Sequence, residues 1–338
     1  MSNNAFIIRV NMIQTLRMAS AVFLGAAAAC AHAQAPKSAP YPVKPVRIIV
    51  GYAPGGATDI VGRLVAQKLT EATGQTFVVE NRPGASASIA SEMVARAAPD
   101  GYTLLIAATT SHSILPSLMA KLSYDPQRDF APVSALALSP LLLALHPSLP
   151  IRSVGELIKL ARAQPGQLSF GAGGAGTPPH LAGELFKQMA GVEMLYVPYK
   201  GEAPAISDLI GGQISLIFSN VIAVLPQVQG GRLRGIAVTA PSRLPSLPAL
   251  PTIAESGLPG FVVESWFGLV STAGTPADVI ARLNADTVRG VTQPDVRDRL
   301  AGQGLFVQTG TPAQLTALIQ SEIVKWAKVI KAAGIKIE

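Results

Sequence analysis

The chain has 338 residues, a formal net charge of +7 and one cysteine; 49% of its residues are hydrophobic and only 14% are charged. This composition excludes a disulfide-stapled miniprotein and lies far from the low-hydrophobicity, highly charged range of disordered chains. The length predicts two domains. With 31 glycines and 27 prolines, we expect many short elements joined by frequent turns.

The first residues have the pattern of a secretory signal peptide. Arg9 and Arg17 precede the apolar stretch Met18 to Ala31, which leads into an Ala-His-Ala sequence with small residues at the two positions that a signal peptidase reads. This stretch is shorter than the ~20 residues that span a bilayer. We therefore expect a signal peptide over residues 1–33, export to the periplasm and cleavage after Ala33, which removes Cys30. Lipidation of Cys30 is the alternative.

Several functional classes have no support in the sequence. The basic residues form no run and have few aromatic neighbours, so nucleic-acid binding is not predicted. The chain contains no nucleophile elbow, zinc-protease motif or P-loop, and its histidines have no metal-ligand spacing. We predict no enzyme activity, no metal and no cofactor, although a catalytic triad assembled from distant loops stays open.

The segments that follow the proline-rich linker alternate between strand and helix patterns. Val46 to Val50 is a β-branched run typical of a buried parallel strand, and apolar residues recur at helical spacing in Ile60 to Leu69. Strand Phe77 to Val79, helix Ile89 to Ala98 and strand Tyr102 to Ala107 come next. This βαβαβ series predicts an α/β fold with a parallel sheet flanked by helices.

A second alternating series follows the apolar segment Val133 to Leu145, which we expect Pro140 to break. The Pro-rich stretch 241–259 then leads to Phe261 to Val270 and to three helices, of which the last, Pro312 to Ala332, should pack on the first domain. The elements predicted for the second series are helices Val154 to Ala163, Leu181 to Met189 and Ala203 to Ile210, and strands Leu168 to Phe170, Met194 to Val197, Ile214 to Phe218 and Gly235 to Thr239.

The first candidate binding loop follows the first strand. Ligands of parallel α/β sheets bind where the strands end, so loops at this edge are the natural sites. The loop that begins at Tyr52 carries Gly55 and Gly56 ahead of a helix. Its exposed N–H groups suit a carboxylate or a phosphate. Thr58 can cap the helix, and Asp59 is equally compatible with a ligand role and with compensation of the helix dipole.

The second candidate loop, Gly171 to His180, matches the Gly-x-Gly-x-x-Gly pattern of dinucleotide sites. However, Pro178 and Pro179 lack N–H groups where a pyrophosphate needs donors. We expect one small anion instead, and His180 is more typical of a packed or capping residue than of a ligand contact. We expect the backbone N–H groups of Gly174 to Thr177, including that of Gly176, and the N–H of His180 to hold this anion.

Other polar residues follow further predicted strands. Tyr199 and Lys200 come after one strand of the second series and Asn220 after another, and Lys200 is the only evident cation in these loops. A solvated surface lysine is the alternative. Thr109 and Thr110 follow the third strand of the first series and offer hydroxyl groups, which helix capping would explain equally well.

A set of short motifs lies in order along nearly all of the chain after the linker. They are Tyr41-Pro42 and Pro45-Val46-Arg47, Pro54-Gly55-Gly56 with Asp59, Asn81-Arg82-Pro83-Gly84-Ala85, Ala98-Pro99-Asp100-Gly101-Tyr102, Tyr124-Asp125-Pro126, Gly176-Thr177 with His180-Leu181, Pro198-Tyr199-Lys200-Gly201 with Pro204-Ala205, and Gly274-Thr275-Pro276. In this combination the chain resembles the Bug (TctC-like) family, the periplasmic solute-binding proteins of tripartite tricarboxylate transporters.

The resemblance implies a two-lobed, Venus-flytrap (type II-like) periplasmic-binding fold in which each lobe is a mainly parallel sheet flanked by helices. It places lobe 1 in residues 34–137 and 261–338, lobe 2 in residues 138–260, and hinge strands near 135–141 and 261–270. It also implies a monomer that holds a small carboxylate-containing solute between its lobes through backbone amides and waters, and delivers it to the membrane subunits of the transporter.

One departure from the family pattern concerns the loop after Gly84. The family usually continues with glycines, whereas this chain has Ser86-Ala87-Ser88, so Ser86 is expected to narrow the cleft or to contact the solute. Two alternative functions stay open at this point. One is an exported hydrolase or dinucleotide-dependent enzyme, and the other is a solute-sensing co-receptor for a signalling kinase.

Overall fold

The computed structural model describes residues 41–119 and 121–335; the predicted signal peptide lies outside them. The described chain is a mixed α/β structure. Its first elements are β1 (Val46–Val50), α1 (Ala57–Thr73), β2 (Phe77–Asn81), a 3₁₀ turn (Ala85–Ala87), α2 (Ser88–Ala95), β3 (Thr103–Ala108), a π-helical turn (Thr110–Ile114), α3 (Leu115–Leu118) and β4 (Phe130–Leu145). The predicted βαβαβ series is confirmed.

The predicted elements of the second series are also confirmed, with boundaries that move by a few residues, and the structure adds one helix at 221–229 that the sequence did not predict. The series comprises α4 (Val154–Ala163), β5 (Ser169–Ala172), α5 (Pro178–Ala190), β6 (Leu195–Pro198), α6 (Glu202–Ile210), β7 (Leu216–Asn220), α7 (Val221–Gln229) and β8 (Arg234–Val238). The chain then continues through β9 (Glu264–Thr272), α8 (Ala277–Val291), α9 (Pro294–Gly302), β10 (Phe306–Val307) and α10 (Pro312–Ala333).

The strands form one continuous sheet in the order β2-β1-β3-β9-β4-β7-β5-β6, with β8 and β10 also paired to β4. Strand β1 runs parallel to β2 and β3, and β5 runs parallel to β6 and β7. The central strands β4 and β9 are antiparallel to their neighbours. The sheet is therefore two parallel blocks joined through antiparallel strands.

Pro140 does not break β4, contrary to the expectation from sequence. The strand is continuous, and Pro140 is the last residue that pairs with β9, opposite Glu264. From Leu141 onward β4 pairs with β7 and β8 instead. Proline has no N–H to donate and is therefore tolerated where a strand exchanges partners. We call β2, β1, β3, β9, β10 and the part of β4 up to Pro140 the first half-sheet. The part of β4 from Leu141 onward, together with β7, β8, β5 and β6, is the second half-sheet.

The last helix, α10, packs on both half-sheets and not on the first alone. Leu315 and Ile319 join the buried cluster around β3 and β9. Trp326 and Ile330 join the cluster formed by α4, α5 and the second half-sheet. This single helix therefore connects the two parallel blocks on one side of the sheet. None of the helices in the described part of the chain combines the length and hydrophobicity of a membrane span.

Candidate functional site

A small cavity lies where loops from both half-sheets meet. Its volume is about 30 Å³, which is room for roughly one or two water molecules. The wall is made by the loops after β1, β3 and β5, by the end of β7, by β9 and by the start of α6. The lining residues are Tyr52, Thr58, Ala108, Thr109, Thr110, Thr177, Pro178, Pro179, Glu202, Asn220, Ser265 and Phe267. We call this the deep cavity.

Asp59 holds the glycine loop and is not part of the cavity wall. Its carboxylate is buried, 3% exposed, and accepts hydrogen bonds from the Gly55 N–H, the Arg63 Nε and the Asn81 Nδ2, each at 2.9 Å. Burial alone would raise its pKa, but the bonds from Arg63, Gly55 and Asn81 outweigh burial and lower it. The ionised carboxylate therefore fixes the shape of the loop at the start of α1.

The N-terminus of α1 presents backbone donors beside the cavity. Gly56 is the N-cap of the helix, in an extended conformation without a side-chain cap. Among the described residues, the N–H groups of Gly56 and Thr58 have no hydrogen-bond acceptor. Free N–H groups at a helix N-terminus, together with the helix dipole, form a suitable environment for a carboxylate.

The side chain of Glu202 crosses from the second half-sheet to this helix. Glu202 is the first residue of α6 and is only 9% exposed. Its Oε2 accepts the Ala57 N–H of α1 at 3.1 Å. Its Oε1 accepts the Ser219 hydroxyl at 2.9 Å, the Asn220 N–H at 2.7 Å and the Asn220 Nδ2 at 2.9 Å. The N-termini of α1 and α7 thus both face one carboxylate.

The loop after β5 offers fewer donors than we predicted. The Gly176 N–H donates to His180 Nδ1 at 3.1 Å, the His180 N–H donates to the Thr177 hydroxyl at 3.3 Å, and the Thr177 N–H donates to the Gly174 carbonyl at 3.4 Å. These groups are therefore not available to hold an anion, because they close the loop on itself and cap α5. Sequence spacing alone does not reveal such internal bonds.

His180 belongs to this internal network. Its ring packs on Tyr196, with ring centroids 4.2 Å apart. Burial lowers the pKa of His180 to about 4. The ring is therefore neutral at neutral pH, and Nδ1 is the nitrogen that accepts the Gly176 N–H. Although His180 was among the candidate ligand residues, the contacts of its ring are with the protein.

A second, larger cavity of about 170 Å³ adjoins the first at Tyr52. Lys200 is exposed there, and the Tyr199 hydroxyl donates to Asp208 Oδ2 at 2.7 Å. Burial, with Asp208 nearby, raises the pKa of Tyr199 to about 12. This outer cavity is lined by Gly51, Tyr52, Gly84, Ala85, Ser86, Gly173, Gly174, Tyr199 and Lys200. Tyr52 lines both cavities.

Two hydrogen bonds join the loops around the outer cavity. The Ser86 hydroxyl donates to the Ala175 carbonyl at 2.6 Å. The Ala53 N–H donates to the Lys200 carbonyl at 3.1 Å. The Ser86 loop is held in an unusual conformation, since residues 85–87 have φ values of 43°, 53° and 73° without a glycine. Ser86 thus contacts the opposite loop, which narrows the cleft.

Two buried polar atoms in the cavity walls have no partner among the described residues, the hydroxyl of Tyr52 and Oδ1 of Asn220. Buried polar atoms are normally hydrogen-bonded, so these two are free to contact a bound molecule. The hydroxyl of Thr109, by contrast, is already hydrogen-bonded within the protein. It accepts the Trp266 N–H at 2.7 Å and donates to the Trp266 carbonyl at 3.3 Å. Thr110 lines the deep cavity beside it.

The structure therefore brings together most of the candidate residues and adds others. Sequence reasoning missed Glu202, Ser265 and Phe267. In the sequence, Glu202 has the appearance of an ordinary acidic residue in the first turn of a helix. Nothing in its neighbourhood indicates the contact with Ala57, 145 positions away.

Comparisons with known proteins agree with this geometry. A family model described as tripartite tricarboxylate transporter family receptor matches residues 61–335. Protein BugT of Bordetella pertussis is 36% identical over 317 residues, which cover 93% of this chain and 97% of BugT.

Solved structures also match over most of the chain. The structure of Rpa4515 of R. palustris with adipate has a TM-score of 0.86 and 39% identity, and the match covers 88% of this chain and 99% of that one. MatC from Rhodopseudomonas palustris with bound malate has a TM-score of 0.82 and 34% identity, covering 86% and 100%. The chain belongs to the tripartite tricarboxylate transporter receptor family, whose members are periplasmic solute-binding proteins.

Proposed function

We propose that this protein is a periplasmic receptor that holds a small organic acid between two lobes and delivers it to the membrane subunits of a tripartite tricarboxylate transporter. The observation that supports this most is the deep cavity. Thr58, whose N–H has no acceptor among the described residues, and Asn220, whose Oδ1 is unpaired, both line it. The solved structures of relatives with adipate and with bound malate support a carboxylate as the solute.

The proposed lobes follow the exchange of partners in β4. Lobe 1 takes residues 34–137 and 261–338 and lobe 2 takes 138–260, so that β4 runs from lobe 1 into lobe 2 and the chain returns to lobe 1 just before β9. Pairing of β4 with β9 ends opposite Glu264 at Pro140, which supports a hinge at this point. Residues 1–33 act as the export signal, with cleavage after Ala33, and the mature protein is a monomer.

The proposed mechanism is opening and closing about these two strands. Solute binds the loops of lobe 1, and lobe 2 then closes over it. The hydrogen bonds that join the two lobes at the cleft, from Ser86 to Ala175, from Ala53 to Lys200 and from Ala57 to Glu202, are few, so closure alone is weakly favoured. A solute that contacts both lobes shifts the population toward the closed form, which the transporter recognises. No covalent bond is made or broken.

A thermal-shift screen tests this function. The purified protein is heated with a panel of small organic acids, with the matching neutral amides, and with NAD and ATP. A ligand at 100 times its dissociation constant adds about 2.7 kcal/mol to the free energy of unfolding. We expect a rise in Tm with at least one acid and none with its amide. A rise with a nucleotide alone would contradict the proposal and favour an exported enzyme.

A further inference from the structure

The deep cavity has a carboxylate in its wall and no cation beside it. Glu202 lines the cavity and is 9% exposed, and among the described residues no lysine, arginine or histidine lines it. Its Oε1 already accepts three hydrogen bonds, from Ser219 and Asn220. In the described part of the chain its Oε2 accepts only the Ala57 N–H, at 3.1 Å. Because each carboxylate oxygen has about two acceptor sites, Oε2 can take one more donor.

A second unused acceptor lies in the same wall. Asn220 is 5% exposed, and its Nδ2 donates to Glu202, whereas its Oδ1 has no partner among the described residues. The free N–H of Thr58 also lines the cavity, but the partial charge of such a group is smaller than the full charge of a carboxylate. A solute carboxylate would be repelled here by Glu202. The volume of about 30 Å³ suits one water-sized group that carries positive charge and donates hydrogen bonds.

The outer cavity, which adjoins the deep cavity at Tyr52, has the opposite charge. Lys200 lines it, and no carboxylate side chain does so among the described residues. Gly173 and Gly174 also line it, and their N–H groups have no acceptor in the part of the chain that the structure describes. Its volume is about 170 Å³, so it has room for the larger part of a small acid. A solute with a carboxylate and a cationic group would therefore meet an opposite charge at each end.

We propose that the deep cavity holds the ammonium group of the solute, so that the protein selects small amino acids over acids without an amino group. The inference rests on the proposed function and names its substrate class. The ammonium group donates to Glu202 Oε2 and to Asn220 Oδ1, and the carboxylate lies in the outer cavity beside Lys200. An ammonium group has three donors, and the unpaired Tyr52 hydroxyl, which both cavities share, can accept the third.

The test begins with a thermal-shift screen of the standard amino acids, β-alanine and 4-aminobutyrate, and of organic acids without an amino group. Calorimetric titration then compares the amino acid that raises Tm most with two acids of the same carbon skeleton. One has a hydroxyl in place of the amino group, and the other has hydrogen there. The wild type should bind the amino acid roughly tenfold or more tightly than either, because its hydrogen bond to Glu202 joins opposite charges. Glu202→Gln removes the charge at almost constant volume and should reduce this preference roughly tenfold.

The exposed Glu193, which also lies in the second proposed lobe, supplies the control. Glu193→Gln changes the net charge equally and should leave the preference unchanged. Circular dichroism and a thermal melt establish that each variant folds, and the comparison of the three acids on the wild type decides the matter if Glu202→Gln does not fold.

Three results would overturn the inference and leave the proposed function standing. The first is a rise in Tm with an organic acid but with no amino acid. The second is equal wild-type affinity for the amino acid and its hydroxy analogue, since a neutral donor would then suffice. The third is an unchanged preference in Glu202→Gln. If no carboxylate binds the wild type, with or without an amino group, the proposed function itself is wrong.

Discussion

The replacement Asp59→Ala tests how the glycine loop before α1 is held. The carboxylate accepts hydrogen bonds from Gly55, Arg63 and Asn81 and is 3% exposed. The Arg63 side chain is 54% exposed, so water replaces most of that ion pair and its contribution is small. Loss of the bonds from Gly55 and Asn81 should lower the free energy of unfolding by roughly 2–4 kcal/mol, because hydrogen bonds to buried charged groups are among the stronger ones.

Urea unfolding at pH 7 measures this loss, and in a thermal melt of a chain of this length it corresponds to roughly 3–6 °C in Tm. The matched control is Asp295→Ala, since Asp295 is an exposed acidic residue in the first turn of α9. The control should cost at most about 1 kcal/mol, the usual value of a helix-dipole contact. If Asp59→Ala lowered stability no more than Asp295→Ala, Asp59 would not be the anchor of the loop.

Titration of Asp59 gives a second, independent check. Its pKa in the folded protein is below the ordinary value, so the unfolded state binds the proton more readily than the folded state. The stabilisation is therefore fully present above the unfolded pKa of about 3.9 and is lost as pH falls through the folded pKa. The difference in stability between wild type and Asp59→Ala should accordingly shrink in strong acid, as urea unfolding at a series of pH values would measure.

The remaining predictions concern closure, acid stability and charge. Ser86→Ala removes the bond to the Ala175 carbonyl and should weaken acid binding by roughly fivefold; an unchanged calorimetric affinity would contradict this. Burial lowers the pKa of His112 to about 3 and that of His180 to about 4, so the free energy of unfolding should fall by roughly 1.4 kcal/mol per pH unit for each histidine below about pH 6.5. Urea unfolding at pH 7 and pH 5 measures this fall, and His112→Gln should reduce it. Lys200 is exposed at the outer cavity, so Lys200→Ala should weaken acid binding a few-fold at low salt and not in roughly 0.5 M salt; a difference independent of salt would contradict a purely electrostatic role.

Most elements could be predicted because their signals are local. Strand β1 is a β-branched run bounded by turn residues, and α1 shows helical spacing and ends at Gly74 in the left-handed conformation. Helix α7 was missed for a physical reason. Residues 221–225 are all buried and Pro226 lies inside the helix, so there is neither a polar face nor an uninterrupted pattern to recognise.

The site was only partly predictable, because its decisive contacts join distant segments. The glycine loops were predicted at the edge of the sheet, and in the structure they follow β1 and β5 there. It did not indicate that the Gly176 and Thr177 N–H groups donate within their own loop. Nor could it show that Glu202 reaches the N-terminus of α1, because that contact depends on how the two parallel blocks face each other. Local pattern determines the elements, whereas the tertiary arrangement determines which donors stay free.

The most direct test of binding between the two lobes is a calorimetric titration of a cleft-filling variant. Gly56 has φ near −84°, which any residue adopts, and a Cβ there would lie 3.6 Å from Glu202 across the cleft. Gly56→Val therefore adds methyl groups between the lobes without backbone strain. In Gly155→Val the added Cβ has no atom within 4 Å, so this variant is the matched control.

The titrant is the carboxylate that gives the largest rise in Tm in the screen. We predict one bound acid per chain for the wild type and for Gly155→Val. For Gly56→Val we predict an affinity reduced by roughly tenfold to a hundredfold, because overpacking prevents full closure. Equal affinities in the wild type and Gly56→Val would contradict the claim that the acid is held between the lobes at the start of α1.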